Sequence, residues 1–495
     1  MMQNAFRNSS HWNDHGLPRS GTGFDPARKF AGMLAASLLG LMIAGCGSEA
    51  DQQIAPEPFE PIAPPAEKTT EAGSIGVSQR IASPATTAPA TAGVPLSVDS
   101  LASPERLASP ESLVEKAIEL LETGETESAL KVAFQARELA PDDPNVLFTV
   151  ARGLAARRRF HEAVRTLDRL AAAHPETWLP AIGQTAEWLV EMGETDEAEK
   201  RYQALRHEVD DASQSFIDRQ LALMFLRQGR RLEAARIFQS LCASGDINLP
   251  ELMMLLKISI PLSDQMNLPE NVDPITPLGR AQAAVGRGEW DKAQRDLDRS
   301  EQTEEVVAMR GRIYAQQQQR EKLKQWALRE YPNTPANPEA SFAWGVYQLQ
   351  IEEANQAAKA LASVIIADPT NQDAYQWLAK SLVALNRSND ADRITARAEL
   401  IGQTQTIGKK LAGGSVTADE MRKLADLLDQ LQRPLEALAW RAMRVSFDQS
   451  GGQIDAAQAA KAYADIERLR QERQRDGTTE PDRAFVLCGV DLELP

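Results

Sequence analysis

Residues 145–175 read NVLFTVARGLAARRRFHEAVRTLDRLAAAHP, and the placing of small residues in this stretch decides the fold. Ala151 and Ala163 stand twelve apart, on either side of an arginine-rich break. The same twelve-residue pair recurs at Ala117/Ala129, Ala186/Ala198, Ala222/Ala234, Ala281/Ala293, Gly345/Ala357, Ala379/Ala391 and Ala425/Ala437. Gly311 carries half of a pair, with Leu323 at its partner position. The first members step by 34, 35, 36, 59, 30, 34, 34 and 46 residues. Such a spacing joins a small residue on one helix to a small residue on the antiparallel helix that follows. Small residues there let two backbones approach until their larger neighbours interlock. A helix pair repeated in this way builds a solenoid.

Other columns keep the register. The seventh residue after the first small one falls in the inter-helix turn and is Gly124, Gly193, Gly229 or Gly288, where glycine ends a helix in the left-handed conformation. Arg158, Gln318, Glu352, Asn386 and Gln432 hold the column elsewhere, so its chemistry is loose. Pro141, Pro175, Pro335 and Pro369 lie at a later fixed position, where proline stops the second helix; Asp210 and Asp246 replace them in two repeats. Leu120, Leu154, Leu189, Phe225, Tyr314, Leu382 and Leu428 fill the first helices.

From about residue 111 to 450 the chain resembles the tetratricopeptide family. The resemblance implies an all-α, right-handed superhelical solenoid of antiparallel helix pairs. Repeats one to four occupy 111–246 and repeats five to nine occupy 278–450, with five, six and nine degenerate. An irregular insert at 247–277 contains the apolar run Leu252 to Ile260 and is expected to bend the solenoid or divide it into two lobes. Residues 402–416, with four glycines, form a second and weaker break. Residues 451–475 read as a charged capping helix. The tail, 476–495, contains a strand-like stretch at 484–494.

The N-terminal part reads as an address. Arg28 and Lys29 precede an apolar run from Phe30 to Ala44, too short to span a bilayer comfortably. It ends in Ile43-Ala44-Gly45-Cys46, which is similar to the bacterial lipoprotein box. That similarity implies a leader and signal peptide over 1–45 and lipidation of the Cys46 thiol. Residues 46–110 are a disordered tether; ten prolines lie among Ala, Ser, Thr and Glu from 47 to 110. The implied location is the bacterial cell envelope, on the periplasmic side of the inner or outer membrane. Two acyl chains suffice for stable anchoring.

Charge excludes one class of partner. The formal net charge is −16, and beyond residue 45 there are 50 basic and 68 acidic residues. Such a surface repels phosphate backbones, so nucleic acid is not an expected partner. No catalytic or metal-ligating constellation is legible. Besides Cys46, Cys242 and Cys488 have no metal spacing, and the five histidines form no His-x-x-x-His pair. No phosphate loop or nucleophile elbow occurs. No cofactor and no small-molecule substrate are expected, and the chain is read as a non-enzyme.

In tetratricopeptide proteins the first helices line a groove. On this sequence the groove positions are Phe148, Arg152, Glu187, Arg219, Arg227, Phe342, Val346, Gln376 and Lys380. Arginines and aromatics can hold a peptide by charge-assisted hydrogen bonds and an aromatic anchor. The expectation is a membrane-tethered scaffold for protein or peptide partners. A second reading makes the chain the regulatory portion of a larger enzyme or sheet-domain protein. A third is a cytosolic co-chaperone-like scaffold.

Overall fold

The computed structural model describes residues 109–261, 273–477 and 482–492. The signal segment, Cys46 and the tether lie outside them. The chain divides into two compact units at Arg157/Arg158. Among the described residues there are 21 α-helices and no strand.

The first unit contains α1 (Pro110–Glu122), α2 (Thr126–Leu139) and α3 (Pro144–Ala156). The starts of α1 and α3 are chemically marked. The Ser109 hydroxyl accepts from the Ser112 amide, and Asp143 accepts from the amides of Asn145 and Val146 at 2.9 and 3.0 Å. Pro110 and Pro144 take the first helical position, where no donor is lost. Ala117, Ala129 and Ala151 are completely buried. A Cβ on Gly153 would lie 3.1 Å from Leu130 Cδ1, so glycine permits that close approach.

The second unit begins with α4 (Phe160–Ala173) and a short 3-10 turn at Pro175–Thr177. Helix pairs follow: α5 (Trp178–Met192) with α6 (Thr195–Glu208), and α7 (Asp211–Gln228) with α8 (Arg231–Ser244). After α9 (Leu249–Leu256) come α10 (Pro277–Gly286) with α11 (Trp290–Asp298), and α12 (Glu304–Gln316) with α13 (Arg320–Glu330). The last pairs are α14 (Pro338–Gln350) with α15 (Ala354–Ala367), α16 (Gln372–Ala384) with α17 (Ser388–Ala412), and α18 (Ala418–Gln430) with α19 (Pro434–Ser450). Helix α20 (Ala456–Arg475) packs on α19, and α21 (Arg483–Val486) is a single turn. Both members of every small-residue pair are buried.

The turn column is stricter than its chemistry suggested. All nine residues have positive φ: 81° at Gly124, 57° at Arg158, 82° at Gly193, 87° at Gly229, 74° at Gly288, 54° at Gln318, 67° at Glu352, 58° at Asn386 and 53° at Gln432. At Gly193 the helix closes with the amide of Gly193 on Val190 O at 3.0 Å and that of Glu194 on Leu189 O at 2.9 Å. The same pair of bonds recurs around Glu352 and Asn386. Backbone conformation is repeated even where glycine is not.

Two expectations are corrected and one open alternative is narrowed. Gly402 and Gly408 do not break a helix: α17 runs unbroken from Ser388 to Ala412 and ends only at Gly413 and Gly414, which accounts for the long step to Ala425. A Cβ on Gly402 would lie 2.4 Å from Gln372 Nε2, so this glycine serves packing. The strand-like tail is instead the turn α21 followed by irregular chain, because Asp482 caps the Phe485 amide at 2.8 Å. For the insert, division into lobes was one of two open alternatives, and the packing around its apolar stretch is continuous. Helix α9 packs against α8, α17 and α19, and α8 itself touches α19. The Arg470 guanidinium and the Gln474 amide group, both on α20, donate to Ala243 O at the end of α8. Within the second unit the later repeats therefore return to the earlier ones around α9. Residues 262–272 of the insert lie outside the described residues.

Candidate functional site

In the first unit, Phe148 and Arg152 stand one turn apart on α3, and both are half-buried. Among the described residues the Arg152 guanidinium makes no hydrogen bond or ion pair. Desolvation holds its pKa below the usual arginine value, and the charge of Glu122 opposes that shift. A half-buried guanidinium so placed can accept a carboxylate as a partner.

Residues of α5 and α7 are more committed. The Gln184 amide donates to Glu187 Oε2 at 2.9 Å. Desolvation raises the Glu187 carboxyl to about 7, the Gln184 bond opposes this, and the like charge of Glu191 adds to it. Arg227 donates to Glu191 at 3.1 Å and to Asp273 O at 3.1 Å. Arg219 donates to Asp246 Oδ1 at 2.7 Å and Glu251 Oε1 at 2.9 Å. Glu251 also accepts from the Asn248 amide at 2.9 Å, closing the capping box of α9. Arg219 thus fixes the entry of α9, and its charge is spent inside the fold.

Phe342 and Val346 are corrected outright: both are completely buried and face no partner. Arg312, itself only 2% exposed, lies over the Phe342 ring at 4.3 Å and pairs with Glu339 at 2.7 Å. First-helix positions in α14 are enclosed because every residue from Ala340 to Gln348 is buried.

The residues that sequence reasoning missed form a polar clamp on the chain that follows α9. Ile258 N donates to Thr370 Oγ1 at 3.0 Å and Ser259 N to Asp368 Oδ2 at 3.2 Å. Arg231 donates to Ile258 O at 2.6 Å, Gln405 to Leu256 O at 3.4 Å, and Arg433 to Leu255 O at 2.6 Å. Asp368 Oδ1 is held by Thr370 N at 2.9 Å, and Arg433 is paired with buried Glu436. Side chains thereby satisfy the last carbonyls of α9 and the irregular main chain that follows it. No repeat column carries these residues, which pair across 27 to 178 positions. The only sequence signal was the apolar run itself.

Gln376 and Lys380 on α16 remain exposed. Lys380 Nζ lies 3.9 Å from the centroid of the half-buried Trp377 ring. Of the nine expected positions only Phe342 and Val346 are fully enclosed; Gln376 and Lys380 are exposed, Phe148 and Arg152 are half-buried, and half-buried Glu187, Arg219 and Arg227 are engaged by neighbours within the chain.

The fold is tetratricopeptide-like. That statement rests on the helix pairs, their buried small residues and the nine left-handed turns. No protein-family model matches the chain, and no curated protein matches it. Solved structures similar to it include a tetratricopeptide repeat protein from Parabacteroides merdae, at 14% identity over 55% of this chain and 98% of that one, with a TM-score of 0.25. The anaphase-promoting-complex hetero-tetramer Cut9–Hcn1 matches at 12% identity over 74% and 80%, with a TM-score of 0.25. The tetratricopeptide domain of P58(IPK) matches at 16% identity over 74% and 99%, with a TM-score of 0.23. At such scores the superpositions carry no argument about partners.

Proposed function

We propose that this chain is a membrane-tethered scaffold for protein–protein interactions at the bacterial cell envelope, without catalytic activity of its own. The observation that carries the reading is the face of a first helix formed by exposed Gln376 and Lys380 with the half-buried Trp377 ring, in an array of stacked helix pairs. A cation seated on an indole, beside an amide, offers an aromatic anchor and a donor for an acidic or amphipathic peptide. Phe148 and Arg152 offer a comparable pair on the first unit. The tether is supported by the apolar run ending in Ile43-Ala44-Gly45-Cys46 and the proline-rich stretch after it.

Cys46→Ser tests the tether. The parent should incorporate a fatty-acid analogue and sediment with membranes; the variant should lose the label and remain unprocessed or be released. Equal labelling and equal sedimentation of the two would remove the lipoprotein reading.

A further inference from the structure

The C-terminal segment 482–492 is seated in a cleft of the second unit in the way a peptide ligand would be. Val486, Leu487, Val490 and Leu492 are buried in a core cluster that also takes residues from α12 to α17. Three main-chain carbonyls of the segment are taken by side chains of the cleft. Tyr375 Oη donates to Val486 O at 3.2 Å, Arg393 to Cys488 O at 2.7 Å, and Arg387 to Asp491 O at 3.0 Å. The Arg397 guanidinium lies 4.6 Å from the Phe485 ring centroid.

The polar groups of the cleft are also bonded to one another. Asp390 accepts from both Arg387, at 2.7 Å, and Arg393. Arg397 donates to Leu431 O at 3.2 Å and to Tyr375 Oη at 3.1 Å. A site whose donors are already positioned loses little on ordering when a ligand arrives. Its polar contacts read backbone, and its apolar contacts read side chains at positions i, i+1, i+4 and i+6, counted from Val486.

We propose that this cleft is a peptide-docking site which the chain fills with its own residues 482–492, and that its partner is a protein segment of the same chemistry. That segment is one helical turn with apolar residues at the four positions and an acidic residue before the last. The inference rests on the interaction-scaffold reading but not on Gln376 or Lys380. A tethered occupant competes at a high effective concentration, so an outside segment enters only when the tail is displaced.

The test uses a fluorescent peptide of residues 480–495 and the full chain carrying Leu487→Asp with Val490→Asp, which unseats the tail. Anisotropy should report saturable binding to this variant, about a hundredfold or more tighter than to the parent. Adding Arg393→Glu should weaken it by about tenfold, as expected for one charge-assisted bond. A chain ending at residue 477 should behave like the double variant. The proposal is overturned if folded variants bind the peptide no better than the parent. It is also overturned if both variants lose the parent's circular dichroism, which would make the tail an integral piece of the core. In either case, partner contact at Lys380 in the parent would be unaffected and would keep the scaffold reading standing.

Discussion

Gly193→Ala and Glu352→Gly should shift local stability in opposite directions. Both positions end a first helix with positive φ, 82° and 67°. A Cβ on Gly193 would meet nothing within 4 Å, so the cost of alanine there is conformational only. Left-handed backbone costs an L-residue about 1–2 kcal/mol. Replacing glycine recovers about 0.4–1 kcal/mol from the unfolded chain. The net loss for Gly193→Ala is then about 1 kcal/mol. Glu352 is exposed, and its carboxylate makes no hydrogen bond or ion pair among the described residues. Glu352→Gly therefore reverses the same terms and gains about 0.5–1 kcal/mol. Asn386→Gly should gain less, because asparagine tolerates φ of 58° better than glutamate does. Native-state hydrogen exchange is the suitable assay, since repeats couple mainly to their neighbours and a single melting temperature averages over them. Amide protection should fall about fivefold across α5 and α6 in Gly193→Ala and rise across α14 and α15 in Glu352→Gly. A neutral Gly193→Ala, or a destabilising Glu352→Gly, would refute the repeated left-handed turn.

Gly311→Ala should destabilise α12 and α13 by about 1–3 kcal/mol in urea unfolding despite alanine's better helix propensity. The added Cβ would sit 2.3 Å from Trp326 Cζ2, and moving the indole breaks its 2.8 Å bond to Val307 O; unchanged stability would show that the indole has room to give. Glu187→Gln should leave stability unchanged below about pH 4.5 and raise it above pH 7 by about 1–3 kcal/mol. Folding lifts this carboxyl to about 7, so the parent loses stability as pH rises through that window and the glutamine variant does not. Parallel stability–pH curves for the two would place the carboxyl in ordinary solvent.

The repeats were legible because each is local: a small residue, a turn and a second small residue within one helix pair fix the register without distant information. Gly311 shows the limit of that reading. Its odd partner Leu323 looked like decay, whereas Trp326, one turn on, covers the glycine and Leu323 is fully buried. Phe342 and Val346 were misread because a repeat column gives a helix face and not what lies against it. In this fold α14 is enclosed and Arg312 lies over Phe342. The clamp of Arg231, Asp368, Thr370, Gln405 and Arg433 was invisible for the same reason. These residues meet only after the array returns on itself around α9, and no short-range pattern encodes that return. Asp482, by contrast, was available in the sequence as a helix cap, and the alternation after it outweighed that signal in the strand-like reading.

Site-specific photo-crosslinking in the native cell tests the central claim most directly. A photoreactive residue would be placed in turn at Phe148, Gln376 and Lys380, at the buried Val346, and at the exposed Glu399 on the second helix of the same repeat as Lys380. A scaffold that binds through its first helices should give discrete protein adducts from Gln376 and Lys380, with Phe148 reporting on the first unit. Val346 and Glu399 should give none. Adducts from Glu399 alone, or from no first-helix position in a folded and correctly fractionated chain, would contradict the account.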